Sequence, residues 1–230
     1  MRIRVADHIA NLLVKHSISH LFSITGGGAM HLNDAFGRNS SITTIYNHHE
    51  QACAIAAESY ARLTGNIAAV CVTSGPGGTN AITGVLGGWL DSIPMLIISG
   101  QVRYDTTVRS TGKPMRQLGD QEYDITRSIE PMTKYSVMVT DPLTIEYHIE
   151  RAIYIAMHGR QGPSWVDVPL NIQSAIIETD DLIRYDPAED ASELPCPISP
   201  EIAAQVIAKL KSARRPLILS GSAIRLANSH

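Results

Sequence analysis

The chain has 230 residues, 44% of them hydrophobic, and a net charge of −3. That length and apolar share allow a substantial buried core, and the slightly acidic balance without a long basic run argues against a nucleic-acid partner. No stretch reaches the roughly 18 consecutive apolar residues of a membrane span. The charged start Met1-Arg2-Ile3-Arg4-Val5-Ala6-Asp7 is unlike a secretory signal. Cys53, Cys71 and Cys196 are widely spaced with no Cys-x-x-Cys pair, and read as reduced thiols of a cytoplasmic protein.

In chain order, Val5, Ile9, Leu12 and Leu13 recur at helical spacing. A short apolar run over 20–24 predicts a strand, broken by Gly26-Gly27-Gly28. A helix is expected over 29–36 and a β-branched strand over 41–46. The pattern over 50–63 is helical and ends near Gly65. Residues 67–73, Ile-Ala-Ala-Val-Cys-Val-Thr, are apolar on both faces, as buried parallel strands are. A glycine-bearing helix over 80–89 and a buried strand over 94–99 follow. Ile145, Ile149, Ala152, Ile153 and Ala156 mark the core face of a further helix, and 164–168 reads as a strand.

Strand alternating with helix predicts a doubly wound parallel α/β sheet covered on both faces. Ligands of such sheets bind at the carboxyl ends of the strands. Three segments fall at such ends: 25–28, 47–50 and 74–78. Composition changes after Gln173, where Glu178-Thr179-Asp180-Asp181 and the proline-rich 186–200 read as an acidic linker. Ser199-Pro200-Glu201 signals a new helix, with serine as N-cap and proline at the first helical position. Ile202, Val206 and Leu210 give that helix its face, and Pro216-Leu217-Ile218-Leu219-Ser220-Gly221 reads as a strand entering a glycine turn. One helix and one strand cannot make a core. The chain, ending at His230, is therefore expected to be an amino-terminal piece of a longer protein: a first domain over 1–175, a linker over 176–198 and the start of another domain over 199–230.

Glu50 follows Asn47-His48-His49 and opens a helix of small residues. A glutamate at a helix start is favourable with the macrodipole alone, and gains meaning only beside other segments. Gly75-Pro76-Gly77-Gly78-Thr79-Asn80 joins a strand to a helix, where glycine permits positive φ and close backbone approach. A phosphate cradle is one reading of it, but the segment lacks the Lys-Ser/Thr ending of a P-loop and the spaced Gly-x-Gly-x-x-Gly pattern. A tight turn without a ligand is another. His48 and His49 are adjacent and point apart, without a carboxylate or cysteine at ligand spacing, so hydrogen bonding or packing is expected of them and no metal.

With Trp89-Leu90-Asp91-Ser92-Ile93-Pro94-Met95 and Ser99-Gly100-Gln101 added, the order of these motifs resembles the pyrimidine-binding domain of thiamine-diphosphate enzymes, specifically the acetolactate synthase-like group. The likeness is dense over 4–173 and looser over 199–225. It implies that Glu50 hydrogen-bonds the aminopyrimidine ring and starts cofactor activation, which is acid–base work in a site shielded from water. It counts Thr25, Gly26, Gly27, Gly28, Thr73, Pro76, Gly77 and Asn80 with Glu50 as cofactor-binding. The loop Thr25-Gly26-Gly27-Gly28-Ala29 has threonine where the family usually has proline, and a flexible turn is its alternative reading. Gln121-Glu122-Tyr123-Asp124 is similar to the family's Gln-Glu-Cys-Asp, which puts Gln121 beside substrate and cofactor as a catalytic residue. Asp120 stands where acetolactate synthases carry phenylalanine, and a helix cap is its alternative role.

The function implied is decarboxylation of pyruvate or another 2-keto acid and transfer of the acyl unit to a carbonyl acceptor, either a second 2-keto acid or a nucleotide-linked keto-sugar. A simple decarboxylase or oxidase of the same superfamily is one alternative, and a non-catalytic pyrimidine-domain subunit of a split enzyme another. The resemblance also implies thiamine diphosphate, magnesium bound by a domain outside this chain, and FAD in a central domain. It implies a homodimer or homotetramer built through the pyrimidine-binding domain, with contacts drawn from the helix over 80–89 and the small-residue helix after Glu50.

Overall fold

A strand that is apolar on both faces needs cover on both, and the fully buried run Ala68–Val72 finds it in the middle of a sheet. The computed structural model describes residues 1–192, 194 and 198–226, so Cys196 and His230 lie outside the described residues. The elements are β1 (Arg2–Arg4), α1 (Val5–Lys15), β2 (His20–Ser23), α2 (Met30–Arg38), β3 (Thr43–Tyr46), α3 (Glu50–Thr64), β4 (Ala68–Val72), α4 (Pro76–Leu90) and β5 (Met95–Gln101). Short α5 (Val108–Thr111) and α6 (Ile125–Ile129) precede β6 (Tyr135–Met138), α7 (Ile145–Met157), β7 (Pro163–Pro169), α8 (Leu170–Gln173) and β8 (Ile176–Glu178). Six strands form one sheet in the order β3-β2-β4-β5-β7-β6, and every neighbouring pair is parallel. This is the doubly wound architecture that the alternation of strand and helix predicts.

The alternation of side chains along each strand divides the core in two. Ala69, Cys71, Leu96, Ile98, Val166 and Val168 face α1, α2 and α7 on one side. Ala68, Val70, Val72, Met95, Ile97 and Trp165 face α3, α4 and α6 on the other. β2 leads to α2 on the first side and β4 leads to α4 on the second. These hydrogen-bonded neighbours send their connections in opposite directions, which opens a crevice between their carboxyl ends.

Several local expectations differ from what forms. Helix α4 begins at Pro76, before residue 80, because Pro76 takes the first helical turn and Gly75 makes the corner at φ 55° and ψ −115°. β6 and the antiparallel β1–β8 pair are not evident in the sequence; Arg2 pairs with Glu178, Ile3 with Ile177 and Arg4 with Ile176. The stretch read as a linker is therefore anchored at its start. It is anchored again at Asp190, which Arg151 grips through two hydrogen bonds of 2.9 and 2.8 Å and to which Tyr185 donates at 2.8 Å. The guanidinium holds the Asp190 carboxyl below the usual carboxylate range.

Farther on, α9 (Ala188–Ala191) and α10 (Pro200–Ser212) follow, and Ser199 caps α10 by accepting from the Ile202 N–H at 3.4 Å. The apolar face of α10 is exposed at Ile202, Val206 and Leu210. The strand expected over 216–221 does not form: Leu217 and Leu219 are 91% and 97% exposed, and no strand among the described residues is there to take its backbone hydrogen bonds. No helix of the described residues is long and apolar enough to cross a membrane.

The glycines of α4 permit close packing within the protomer. A Cβ on Gly84 would lie 2.6 Å from Ala54 Cβ and 2.9 Å from the Ile55 nitrogen, and one on Gly88 would lie 2.6 Å from Met95 Sδ. These approaches lie inside the protomer, where α4 packs on α3 and on β5. Only Gly87 of this group faces open space. Gly84→Val forces the two backbones apart and should destabilise the chain by about 1–3 kcal/mol, the usual cost of overpacking. Urea unfolding measures it, and an unchanged midpoint would show that the approach is not needed.

Candidate functional site

The crevice is organised around Thr73, the residue after β4. Its Oγ1 accepts from the Gly28 N–H at 3.0 Å, which ties the β2 loop to the end of β4. A Cβ on Gly26 would lie 2.4 Å from Thr73 Cβ, and one on Gly77 2.6 Å from Thr73 Cγ2. Glycines on two different connections thus close on one side chain. Thr25 is exposed and a Cβ on Gly27 would meet nothing within 4 Å, so these are the free positions of the same loop.

Glu50 is the first residue of α3. His49 is the N-cap, with its ring Nδ1 accepting from the Gln51 N–H at 3.1 Å. An accepting Nδ1 carries no proton, so the histidine serves the helix end. Asn80 Nδ2 donates to Glu50 Oε2 at 3.0 Å. The other oxygen, Oε1, has no hydrogen-bond partner among the described residues, and a Cβ on Gly77 would lie 3.6 Å from it. The result is a half-buried carboxylate with one oxygen fixed by an amide and one available, beside a wall that has no side chain.

Gln121 approaches from the far side of the turn. Gly75 has a positive φ that disfavours other residues, and a Cβ there would lie 2.1 Å from the Gln121 carbonyl oxygen. Gln121 itself sits at φ 53°, a left-handed conformation that costs a non-glycine residue on the order of 1 kcal/mol. With Gly75, Pro76, Thr79 and Tyr123 it lines a cavity of about 350 Å³. Asp120 is exposed in the turn before α6 and does not cap it; the N-cap is Asp124, whose Oδ1 accepts from Thr126 Oγ1 at 2.7 Å.

One polar residue of the site region carries no motif in the sequence. Asp167 lies fully buried on β7, opposite Ser99 in the β5–β7 register. Ser99 Oγ donates to Asp167 Oδ1 at 2.5 Å and accepts from Trp165 Nε1 at 2.8 Å. Gln101 Nε2 donates both to Asp167 Oδ2 at 3.2 Å and to the Tyr123 carbonyl at 2.8 Å, so it links the sheet interior to the segment that carries Gln121. Burial pushes the Asp167 carboxyl up to about 7 against those hydrogen bonds. The signal that could have found it is a lone acid inside Trp165-Val166-Asp167-Val168, a run otherwise apolar on both faces. The thiols of Cys53 and Cys71 are free and buried, and burial raises both, Cys71 to about 12.

Residues 3–124 match a family described as thiamine pyrophosphate enzyme, N-terminal TPP binding domain. The chain belongs to the thiamine-pyrophosphate enzymes, in their acetolactate synthase-like group. It is 34% identical over 223 residues to acetolactate synthase 1, chloroplastic, of Oryza sativa subsp. japonica, a match covering 94% of this chain and 32% of that protein. It is 31% identical over 226 residues to the acetolactate synthase large subunit of Lactococcus lactis subsp. lactis, covering 96% of this chain and 37% of the relative. It is 38% identical over 164 residues to the large subunit of Haemophilus influenzae, covering 71% and 27%. The chain spans about a third of the length of these curated relatives.

The raised carboxyl of Asp167 sets a pH dependence. A carboxyl whose folded value exceeds its unfolded value of about 3.9 weakens the folded state progressively as pH rises from there to about 7. Asp167→Asn removes that penalty. Its stability relative to the parent should therefore increase between pH 4 and pH 8, read by denaturant unfolding at both. A constant difference would show that the carboxyl does not titrate in this window.

Proposed function

We propose that the chain is the pyrimidine-binding part of a carboligase that decarboxylates pyruvate or another 2-keto acid and transfers the acyl unit to a carbonyl acceptor. The observation that carries this reading is the Glu50 carboxylate on the crevice rim, with Oε2 held by Asn80 and Oε1 available beside Gly77. An aminopyrimidine ring asks for one carboxylate at its edge and a wall without side chains at its face, and these residues fit that demand. When bound, thiamine diphosphate supplies the electron sink for decarboxylation.

The roles assigned to this chain's residues follow. Glu50 Oε1 would hold the edge of the aminopyrimidine ring at N1′ and supply the negative charge that its acid–base chemistry needs. Asn80 keeps the carboxylate in that orientation. Thr73 fixes the glycine loops from β2 and β4, and Pro76 and Gly77 form the ring's wall. The loop of Thr25, Gly26, Gly27 and Gly28 excludes water above the site. Gln121, locked against Gly75, orients the substrate.

The relatives named acetolactate synthases support carboligation over the alternatives of simple decarboxylation, oxidation or a non-catalytic subunit. Magnesium is assigned to sequence outside this chain, which contains no Gly-Asp-Gly segment. FAD is assigned to no residue described above. Assembly as a homodimer or homotetramer is assigned to the outer faces of α4 and α3, where Leu86 and Leu90 on α4 and Ile55 on α3 are exposed. A cytoplasmic location is the reading that suits the free cysteines. The 230-residue chain by itself is expected to be inactive.

In the enzyme that carries this domain, Glu50→Gln should lower activity about 10²-fold or more, the scale of acid–base groups. Cofactor affinity should fall less, because the diphosphate and magnesium contacts lie elsewhere. Exchange of the C2 proton of bound cofactor, followed by NMR, is the direct measurement. Equal exchange rates in parent and variant would show that Glu50 is not the activating carboxylate.

A further inference from the structure

We propose that the basic cavity beside residues 121–124 is a phosphate-ester subsite that receives the anionic part of the acceptor. In a chain of net charge −3 this is a local inversion of sign. The cavity, about 410 Å³, lies between α5, the loop over 112–116 and α6, and is lined by Arg109, Lys113, Arg116 and Arg127 with Glu122 and Asp124. Four cations against two carboxylates leave a net charge of +2.

Neither carboxylate neutralises the whole cluster. Glu122 is committed to backbone: it accepts from the N–H groups of Val108 at 2.6 Å, Leu118 at 2.9 Å and Gly119 at 3.1 Å. Its work is to fasten the loop that carries the cations. Asp124 lies 3.2 Å from Arg127 and 3.9 Å from Arg109. Lys113 and Arg116 make no ion pair among the described residues.

Place and size then select the ligand. The basic cavity shares Glu122 and Tyr123 with the 350 Å³ cavity that contains Gly75, Pro76 and Gln121, so one molecule can reach from the cations to the glycine turn. Its volume falls in the range of roughly 300–1,000 Å³ that holds drug-sized ligands. That is more room than a small keto acid fills. Two uncommitted cations, one a guanidinium whose planar fork matches phosphate oxygens, suit a multiply charged phosphate ester better than a single carboxylate. The acceptor role rests on the carboligase reading above; the anion site does not.

The test is an NMR titration of the isotope-labelled 230-residue chain at low ionic strength with three probes: inorganic pyrophosphate, uridine diphosphate and thiamine diphosphate. Pyrophosphate and uridine diphosphate should give saturable shifts in the residues lining the cavity, and added salt should weaken them. The double variant Lys113→Glu with Arg116→Glu should lose about tenfold or more in affinity for both, with its thermal unfolding midpoint unchanged. Arg103→Glu, outside the cavity, should bind as the parent does. Tighter binding of uridine diphosphate than of pyrophosphate identifies a nucleotide-linked ligand, and equal binding identifies any phosphate ester. Absence of saturable shifts, or equal affinity in the double variant, overturns the site. Displacement of uridine diphosphate by thiamine diphosphate at concentrations about tenfold or more below those that pyrophosphate needs overturns the acceptor assignment, because the cavity would then serve the cofactor. Shifts at Glu50 and Gly77 with thiamine diphosphate report the cofactor reading separately.

Discussion

Three glycines leave room for one threonine. A Cβ on Gly26, Gly28 or Gly77 would come within 3.0 Å of the Thr73 side chain, and the Thr73 hydroxyl in turn takes the Gly28 amide. Everything at the crevice depends on this packing. β2 and β4 are paired strands whose connections leave toward opposite faces of the sheet, so their loops would splay apart unless something held them. Thr73 holds them without filling the crevice. With Gly77 drawn onto Thr73, the first turn of α4 brings Asn80 to Glu50, and the carboxylate acquires its partner.

The same edge of the sheet carries two carboxylates in opposed settings. Glu50 stands half-buried at a helix start, where the macrodipole favours its charge. Asp167 lies in the core among a hydroxyl and an amide, where desolvation dominates and the proton is held to about pH 7. The buried acid still reaches the surface indirectly. Gln101 spans from Asp167 to the Tyr123 carbonyl, so the conformation of the segment after Gln121 is fixed from inside the sheet.

The layers were legible in the sequence because period and length agree there. Residues 67–73 are apolar without alternation, and the helix after Glu50 stops at a glycine that takes φ 75°. What the sequence hides is any feature that depends on a partner distant along the chain. β1 and β8 are three residues each and exist only as a pair. The acid- and proline-rich stretch reads as a linker although Arg151 pins Asp190 onto the domain. The apolar run Leu217-Ile218-Leu219 has a strand's composition but no neighbouring strand among the described residues. In the site, glycines and Glu50 could be named from their motifs. Their convergence on Thr73 could not, nor could the burial of Asp167, because both arise from register across the sheet.

The amino group of Met1 donates to Thr179 Oγ1 at 3.0 Å across 178 positions of sequence. Closing so long a loop is unfavourable until the intervening sheet has fixed most of that chain. The pairing of Arg2–Arg4 with Ile176–Glu178 must therefore come late in folding, after the parallel core. During synthesis, residues 2–4 emerge well before their partner strand and are then among the last to find a place. Until residue 178 has been made, the amino-terminal strand remains a free edge that another chain's strand can take.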